Sequence, residues 1–398
     1  MDNGKIKRLV EEIGDWIIEK RRDFHRYPEP STEEFETAAK IAGVLKELGV
    51  SEVKTGCYRT GVTGLIKGAE PGKTIALRFD MDALPMEEQT GLSFASERPG
   101  LMHGCGHDGH MAMGLGAARA LMELREEIVG NIKLIFQPAE EDAPRGGGAQ
   151  HMIKEGVLKD PPVAAIIGMH LWPSLPLGAV GTRAGAIMAA SDPFTVDVIG
   201  KGVHASSPNL GIDPIVIAAQ IVNNLQTIVS RNVDPFEQAV VSIGIFAGGT
   251  RYNIIPEKVR IEGTVRTFKQ DVRDFVYNRM KIIVEKTAEA MGGRGNLVYN
   301  FGYPATINNA ELVEVAKQAT EAILGANKYI AVERPAAGGE DFAYFAQTIP
   351  GVFLWLGYGQ DGKEVYPLHS PHFNFDEEAL IIGTKVLVKT ALQWGRKN

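Results

Sequence analysis

Residues 74–82 read TIALRFDMD: a nearly continuous apolar run, TIALRF (74–79), that hands over directly to Asp80 and Asp82. Two later runs behave in the same way. NIKLIF (131–136) leads through Gln137, Pro138 and Ala139 to Glu140 and Glu141, and AAIIGM (164–169) leads to His170. Short apolar runs of this kind read as strands buried on both faces. Helical segments at about 107–126 and 148–157 separate them. Buried strands alternating with helices predict an α/β fold with a mostly parallel sheet flanked by helices. In such sheets ligands bind outside the carboxyl ends of the strands. Three strand ends therefore aim acids and a histidine at one edge.

Working outward, Ile6, Leu9, Val10, Ile13, Trp16 and Ile17 share one face of a helix expected over 5–25, which YPEP ends. Ser31 and Glu34 fit a capping box ahead of Phe35, Ala38, Ile41, Ala42 and Leu45, with Gly49 closing that second helix. From about residue 190 the pattern changes. FTVDVIG, QAVVSIGIF, VRIEGTVRTF and NLVYNFG read as strands, and 213–230 and 271–292 as helices, giving the order β-α-β-β-α-β of a ferredoxin-like unit. VFLWLG and a final helix from about 376 resume the first pattern. The expected organisation is a discontinuous domain of 1–187 and 303–398 interrupted by an inserted unit at 188–302.

The composition excludes several classes. At 398 residues two domains are expected, and 44% apolar with 23% charged residues is ordinary for a globular protein. Net charge is −7 with no basic block, so no nucleic-acid partner is expected. No apolar run approaches the ~18 residues of a membrane span. The N-terminal MDNGKIKRLVEEIGDW has no apolar core of a secretory signal, so the expected location is the cytoplasm. Two cysteines, Cys57 and Cys105, make no disulfide framework.

The loop HGCGHDGH (103–110) holds three of nine histidines and one of two cysteines. Cys105 and His107 are one residue apart, and the glycines let the backbone fold tightly around an ion. With Glu141, His170 and His369 they form a mixed thiolate, imidazole and carboxylate set. That is more than one catalytic ion normally takes, which predicts two divalent metal ions ~3.5–4 Å apart. Zinc suits the thiolate best; manganese, cobalt and nickel fit the same donors. Of Glu140 and Glu141, one can bind metal while the other carries a proton from water to the leaving nitrogen. Asp82 is placed to orient a histidine ligand, with Asp80 as the alternative.

The segments RFDMDALP, HGCGHDGH, QPAEE, GMHLWP, GKGVHASSP, GGTRYNIIP, GGEDFAYF and HSPHFNFDEE occur in order along the chain. Together they resemble the amidohydrolase branch of the aminoacylase/carboxypeptidase family of di-metal metallopeptidases. The resemblance implies a metal-dependent hydrolase that cleaves the amide bond of N-acyl amino acids or short peptides. It implies Cys105, His107, Glu141, His170 and His369 as metal ligands, Glu140 as the general base and Asp82 as the orienting acid. It further implies that the inserted unit is a lid that also forms a homodimer, with a tetramer the alternative. His204 and Asn253 then fall on lid positions that bind substrate.

Other readings stay open at this point. Cys105 could be the nucleophile of a thiol hydrolase, with His103 or His107 as its base. The chain could be a non-catalytic metal- or amino-acid-binding protein. A nicotinamide oxidoreductase is disfavoured because no G-x-G-x-x-G follows the first strand. Asp108 is a further candidate ligand, and His372 competes with His369. His103 and His110 are expected to support the site, and His25, His151 and Cys57 to be structural. Glu340 and Asp341 either line the pocket or cap the helix that DFAYF begins, and RGGGAQ (145–150) reads as a flexible turn.

Overall fold

The structure is a computed structural model that describes residues 2–359 and 364–398. The chain divides into two compact units. The first comprises Met1–Ile187, Thr306–Arg334 and Asp341–Asn398, and the second Met188–Ala305 and Pro335–Glu340. The second unit is therefore not one uninterrupted insertion: the six residues Pro335–Glu340 return to it.

Eight strands of the first unit form one sheet. Their order is Ser51–Cys57, Gly61–Lys67, Val129–Gln137, Glu70–Asp80, Val163–Pro176, Gly351–Gly359, Val180–Thr182 and Tyr329–Ala331. The four from Val129–Gln137 to Gly351–Gly359 run parallel, and they are the apolar runs of the sequence. Gly61–Lys67 pairs antiparallel with Val129–Gln137, and Ser51–Cys57 antiparallel with Gly61–Lys67. Burial on both faces explains why Ile75, Leu77, Ile132, Leu134, Ile166, Leu354 and Leu356 are all essentially inaccessible.

His170 does not end its strand as expected. Val163–Pro176 runs on past it, but its neighbour Glu70–Asp80 pairs with it only as far as Arg78 opposite Gly168. His170 thus projects from a stretch that outruns the adjacent strand. Nearly every residue of the helix His107–Glu123 is buried, packed against Gly14–Arg26 and Glu378–Lys397. Gly114 allows this helix to reach the sheet: a Cβ there would lie 2.7 Å from both Phe79 and Phe136 rings.

The N-terminal helix expected over 5–25 is two helices, Asn3–Glu12 and Gly14–Arg26. Glycine at position 14 is the poorest ordinary helix former, and Ile13 leaves helical geometry beside it. The capping box also fails. Glu34 occupies the cap position of Phe35–Glu47 without a side-chain cap bond, and Ser31 hydrogen-bonds elsewhere. RGGGAQ is no flexible turn, since a helix Gly147–Lys154 starts within it.

In the second unit an antiparallel sheet runs Ala239–Gly248, Lys258–Thr267, Ala190–Ile199, Arg294–Tyr299. Helices Pro214–Thr227 and Gln270–Ala290 complete the β-α-β-β-α-β order. Alternate residues of Ala190–Ile199 point inward, and Phe194, Val196 and Val198 join Ile217, Ile221, Met280 and Val284 in its own core. The bridge at one end is polar: Arg273 Nε donates to Asp192 at 2.8 Å, and Tyr299 Oη donates to the same carboxylate.

Candidate metal centre

Everything in this cluster belongs to the first unit. Cys105 Sγ lies 3.4 Å from His170 Nε2 and 3.3 Å from His369 Nε2. His369 Nε2 lies 3.1 Å from Glu141 Oε1. Two triplets of donor atoms result, Cys105–His107–His170 and Cys105–Glu141–His369, each drawn within 4.8 Å. A third group joins His107 to Glu140 and Glu141. The structure thus brings together all five residues that the resemblance singled out as ligands, and sets Glu140 among them.

Main-chain carbonyls fix the ring tautomers. His107 Nδ1 donates to the Asp82 carbonyl at 2.8 Å, and His170 Nδ1 donates to the Leu171 carbonyl at 2.7 Å. A carbonyl can only accept, so each ring directs Nε2 at the cluster. His107 Nε2 is buried without a hydrogen bond. Leaving such an atom unpaired costs ~1–3 kcal/mol, more for a charged group. A soft thiol, three imidazoles and a carboxylate converging around this orphaned nitrogen fit a pair of divalent cations.

The electrostatics point the same way. Burial favours a neutral His107, but Asp80 and then Asp82 outweigh it and push the ring up to about 10. A divalent cation would take the place of that proton. His170 is held well below its ordinary value by burial and by His110 beside it. Burial, then Glu141 and Glu140, raise the Cys105 thiol well above its ordinary value. That is the opposite of an activated nucleophilic thiolate.

Two aspartates leave the strand Glu70–Asp80 with different duties. Asp82 is buried, and its carboxylate accepts the main-chain N–H groups of Glu140 at 3.0 Å and Glu141 at 2.9 Å, and the Ser31 hydroxyl at 2.6 Å. Asp80 instead holds His110: Oδ1 is 2.5 Å from Nδ1, and His110 Nε2 accepts the Leu171 N–H at 3.2 Å. His110 is consequently spent on positioning the segment that carries His170. Burial opposes a charged Asp80, but His107, His110 and Arg78 hold it well below the usual carboxylate range.

Several supporting residues escaped the sequence reading. Buried Arg78 donates to Asp80 at 2.7 Å, to Asp341 at 2.7 Å and to Gln137 at 2.8 Å. A charged residue inside the apolar run IALRF was the available signal, since arginine is seldom fully buried without a partner. Asp341 accepts from Gln137 and from the Ala149 N–H, and makes no cap bond to its helix. Glu340 falls in the second unit. Asp108 joins none of the donor groups found among the described residues: buried Arg21 and His25 both lie 2.8 Å from its Oδ2. His103 is buried with neither ring nitrogen hydrogen-bonded, and His372 Nδ1 turns to the Gln89 carbonyl at 2.8 Å.

His204 and Asn253 belong to the second unit. The short strands Val203–His204 and Ile254–Ile255 pair antiparallel, with the Ala205 N–H on the Asn253 carbonyl at 3.0 Å. His204 is exposed, its Nδ1 2.7 Å from the Ser206 hydroxyl, and Asn253 Oδ1 is a buried acceptor without a partner.

The chain matches the model of "Peptidase family M20/M25/M40" over residues 76–393. It is similar to thermostable carboxypeptidase 1 of Saccharolobus solfataricus, with 41% identity over 99% of each chain. It is also similar to an N-acetylcysteine deacetylase of Bacillus subtilis, 42% identical over 94% of this chain and 96% of the relative. Among solved structures, a dinuclear metal-binding peptidase of the M20 family from Bacillus subtilis superposes with a TM-score of 0.83. The two are 39% identical, over 96% of this chain and 98% of that one. The motif order, the convergent donors and these similarities agree: the chain belongs to peptidase family M20/M25/M40 and is a hydrolytic enzyme acting on amide bonds.

Proposed function

We propose that this enzyme hydrolyses the amide bond of N-acyl amino acids or short peptides, using two divalent metal ions held by Cys105, His107, Glu141, His170 and His369. The observation that carries this reading is the convergence of these five donors, from four separate parts of the first unit, around the carboxylate of Glu140. The two triplets share the Cys105 sulfur, so Cys105 would hold metal together with His107 and His170 on one side and with Glu141 and His369 on the other. Zinc is the expected metal on account of the thiolate, with manganese, cobalt or nickel able to use the same donors.

When bound, such a pair of ions lowers the pKa of water and polarises a carbonyl. Glu140 takes the proton of the attacking water and passes it to the departing nitrogen. Asp82 aims His107 through its carbonyl, and its carboxylate holds the main chain of Glu140 and Glu141. His204 and Asn253 bind the substrate; the buried, unpartnered Oδ1 of Asn253 supports that role.

The second unit is the expected dimer contact. Its edge strand Ala239–Gly248 exposes Val240, Ile245 and Phe246, and Phe236 ahead of it is 93% exposed. Exposed apolar groups on an open strand edge favour pairing with another chain. No helix among the described residues is long and apolar enough to cross a membrane. Two unpaired thiols favour a reducing compartment such as the cytoplasm.

Glu140→Gln tests the reading. The variant is expected to keep its metal and to lose ~10²–10⁴-fold in turnover on a panel of N-acetyl amino acids, N-benzoyl amino acids and dipeptides. Full turnover in this variant ends the assignment.

A further inference from the structure

Ala139 precedes the two glutamates and stands at φ 57°, a left-handed conformation that a residue with a Cβ rarely adopts. It is completely buried, so nothing from solvent satisfies its peptide groups. Its N–H is held instead by Glu34, whose Oε1 accepts it at 2.9 Å across 105 residues of chain. The same oxygen accepts the N–H of Thr32, itself left-handed at φ 69°, also at 2.9 Å. The other carboxylate oxygen takes the Thr60 hydroxyl. On its far side the Ala139 carbonyl accepts the Gly148 N–H at 3.0 Å.

Three consecutive N–H groups, those of Ala139, Glu140 and Glu141, are therefore gripped by two carboxylates, Glu34 for the first and Asp82 for the other two. A turn that must pass through a left-handed residue has alternatives close in energy, and small displacements at a reacting group are costly. Asp82 alone leaves the buried N–H at the entry to the turn without an acceptor. Glu34 is fully buried, makes no cap bond to its own helix and points all its hydrogen bonding at this turn and the two segments beside it.

We propose that Glu34 is a positioning residue of the reaction: it locks Ala139 in its left-handed conformation and thereby sets the direction in which Glu140 leaves the turn. This rests on the reading of Glu140 as the proton carrier. Reach, and not charge, is what the role demands. A glutamine at 34 keeps an oxygen for the two N–H groups and an amide that can donate to the Thr60 hydroxyl. An aspartate keeps the charge but is one methylene short.

The test compares Glu34→Gln, Glu34→Asp and Glu140→Gln as metal-replete full-length proteins, measuring kcat, KM, metal content and thermal midpoint. Glu34→Asp is expected to lose ~10–100-fold in kcat with KM changed by less than ~3-fold, the scale of a misplaced reacting group. Glu34→Gln is expected to stay within ~3-fold of the parent. A merely structural residue would shift the thermal midpoint while kcat per folded molecule stayed constant. That outcome in Glu34→Asp, or a kcat loss in Glu34→Gln as large as in Glu34→Asp, overturns the proposal. If Glu140→Gln is inactive and Glu34→Asp fully active, only the role of Glu34 falls. If Glu140→Gln is itself active, the reading beneath it falls.

Discussion

The sulfur of Cys105 stands 3.4 Å from Nε2 of His170 and belongs to both donor triplets. The other four donors belong to one of these triplets each. Removing His107 or His170 should therefore weaken one ion, and removing His369 the other. After desalting, His107→Ala and His369→Ala should each retain ~1 ion per subunit and Cys105→Ala fewer than either, against ~2 in the parent. Elemental analysis by plasma mass spectrometry checks this. A Cys105→Ala protein that keeps a full metal complement would remove the shared-ligand assignment.

The remaining thiol provides a pH test. Burial, then the neighbouring Glu155, push Cys57 up to about 12 from its ordinary 9.0. The folded state keeps this proton where the unfolded chain releases it. The contribution of Cys57 to stability is thus fully present below about pH 9 and is lost as pH rises toward about 12. Iodoacetamide at pH 8 should leave Cys57 unlabelled in the folded protein and label it in denaturant, read by peptide mass mapping. Denaturation series from pH 8 to 11 should show a shallower alkaline decline in Cys57→Ala. Rapid labelling of the folded chain would contradict the shift.

Arg21 and Asp108 form a fully buried ion pair at 2.8 Å, and the same guanidinium also reaches Glu377 and Asn374. Such a pair adds little over an apolar replacement of both partners, but removing one partner strands the other charge. Arg21→Met should cost ~3–5 kcal/mol in urea or thermal unfolding. A change under ~1 kcal/mol would mean that His25, already 2.8 Å from the same oxygen, is enough to hold Asp108.

Glu34 illustrates where reading a chain locally goes wrong. Serine followed three residues later by glutamate ahead of an apolar helix is a sound capping signal, and the bond it forecasts is worth ~1 kcal/mol. In the folded chain Glu34 instead faces the N–H groups of Thr32 and Ala139 and the Thr60 hydroxyl, all buried. Each would cost ~1–3 kcal/mol if left unpaired. Three such groups outweigh one cap. Ser31 follows the same logic when it donates to Asp82.

Apolar runs of six residues, each ending in acids or a histidine, were enough to place the central strands and the edge at which their polar ends gather. Burial on both faces imposes that composition wherever the strand pairs, so it is written locally. Spacing and motif order likewise picked out Cys105, His107, Glu141, His170 and His369 before any contact was visible. Folding alone assigned Asp82 to His107 and Asp80 to His110, gave Asp108 to Arg21, and turned Glu34 toward Ala139. A buried acidic residue takes whichever donors would otherwise go unsatisfied, and here those donors come from residues 25 to 105 positions away.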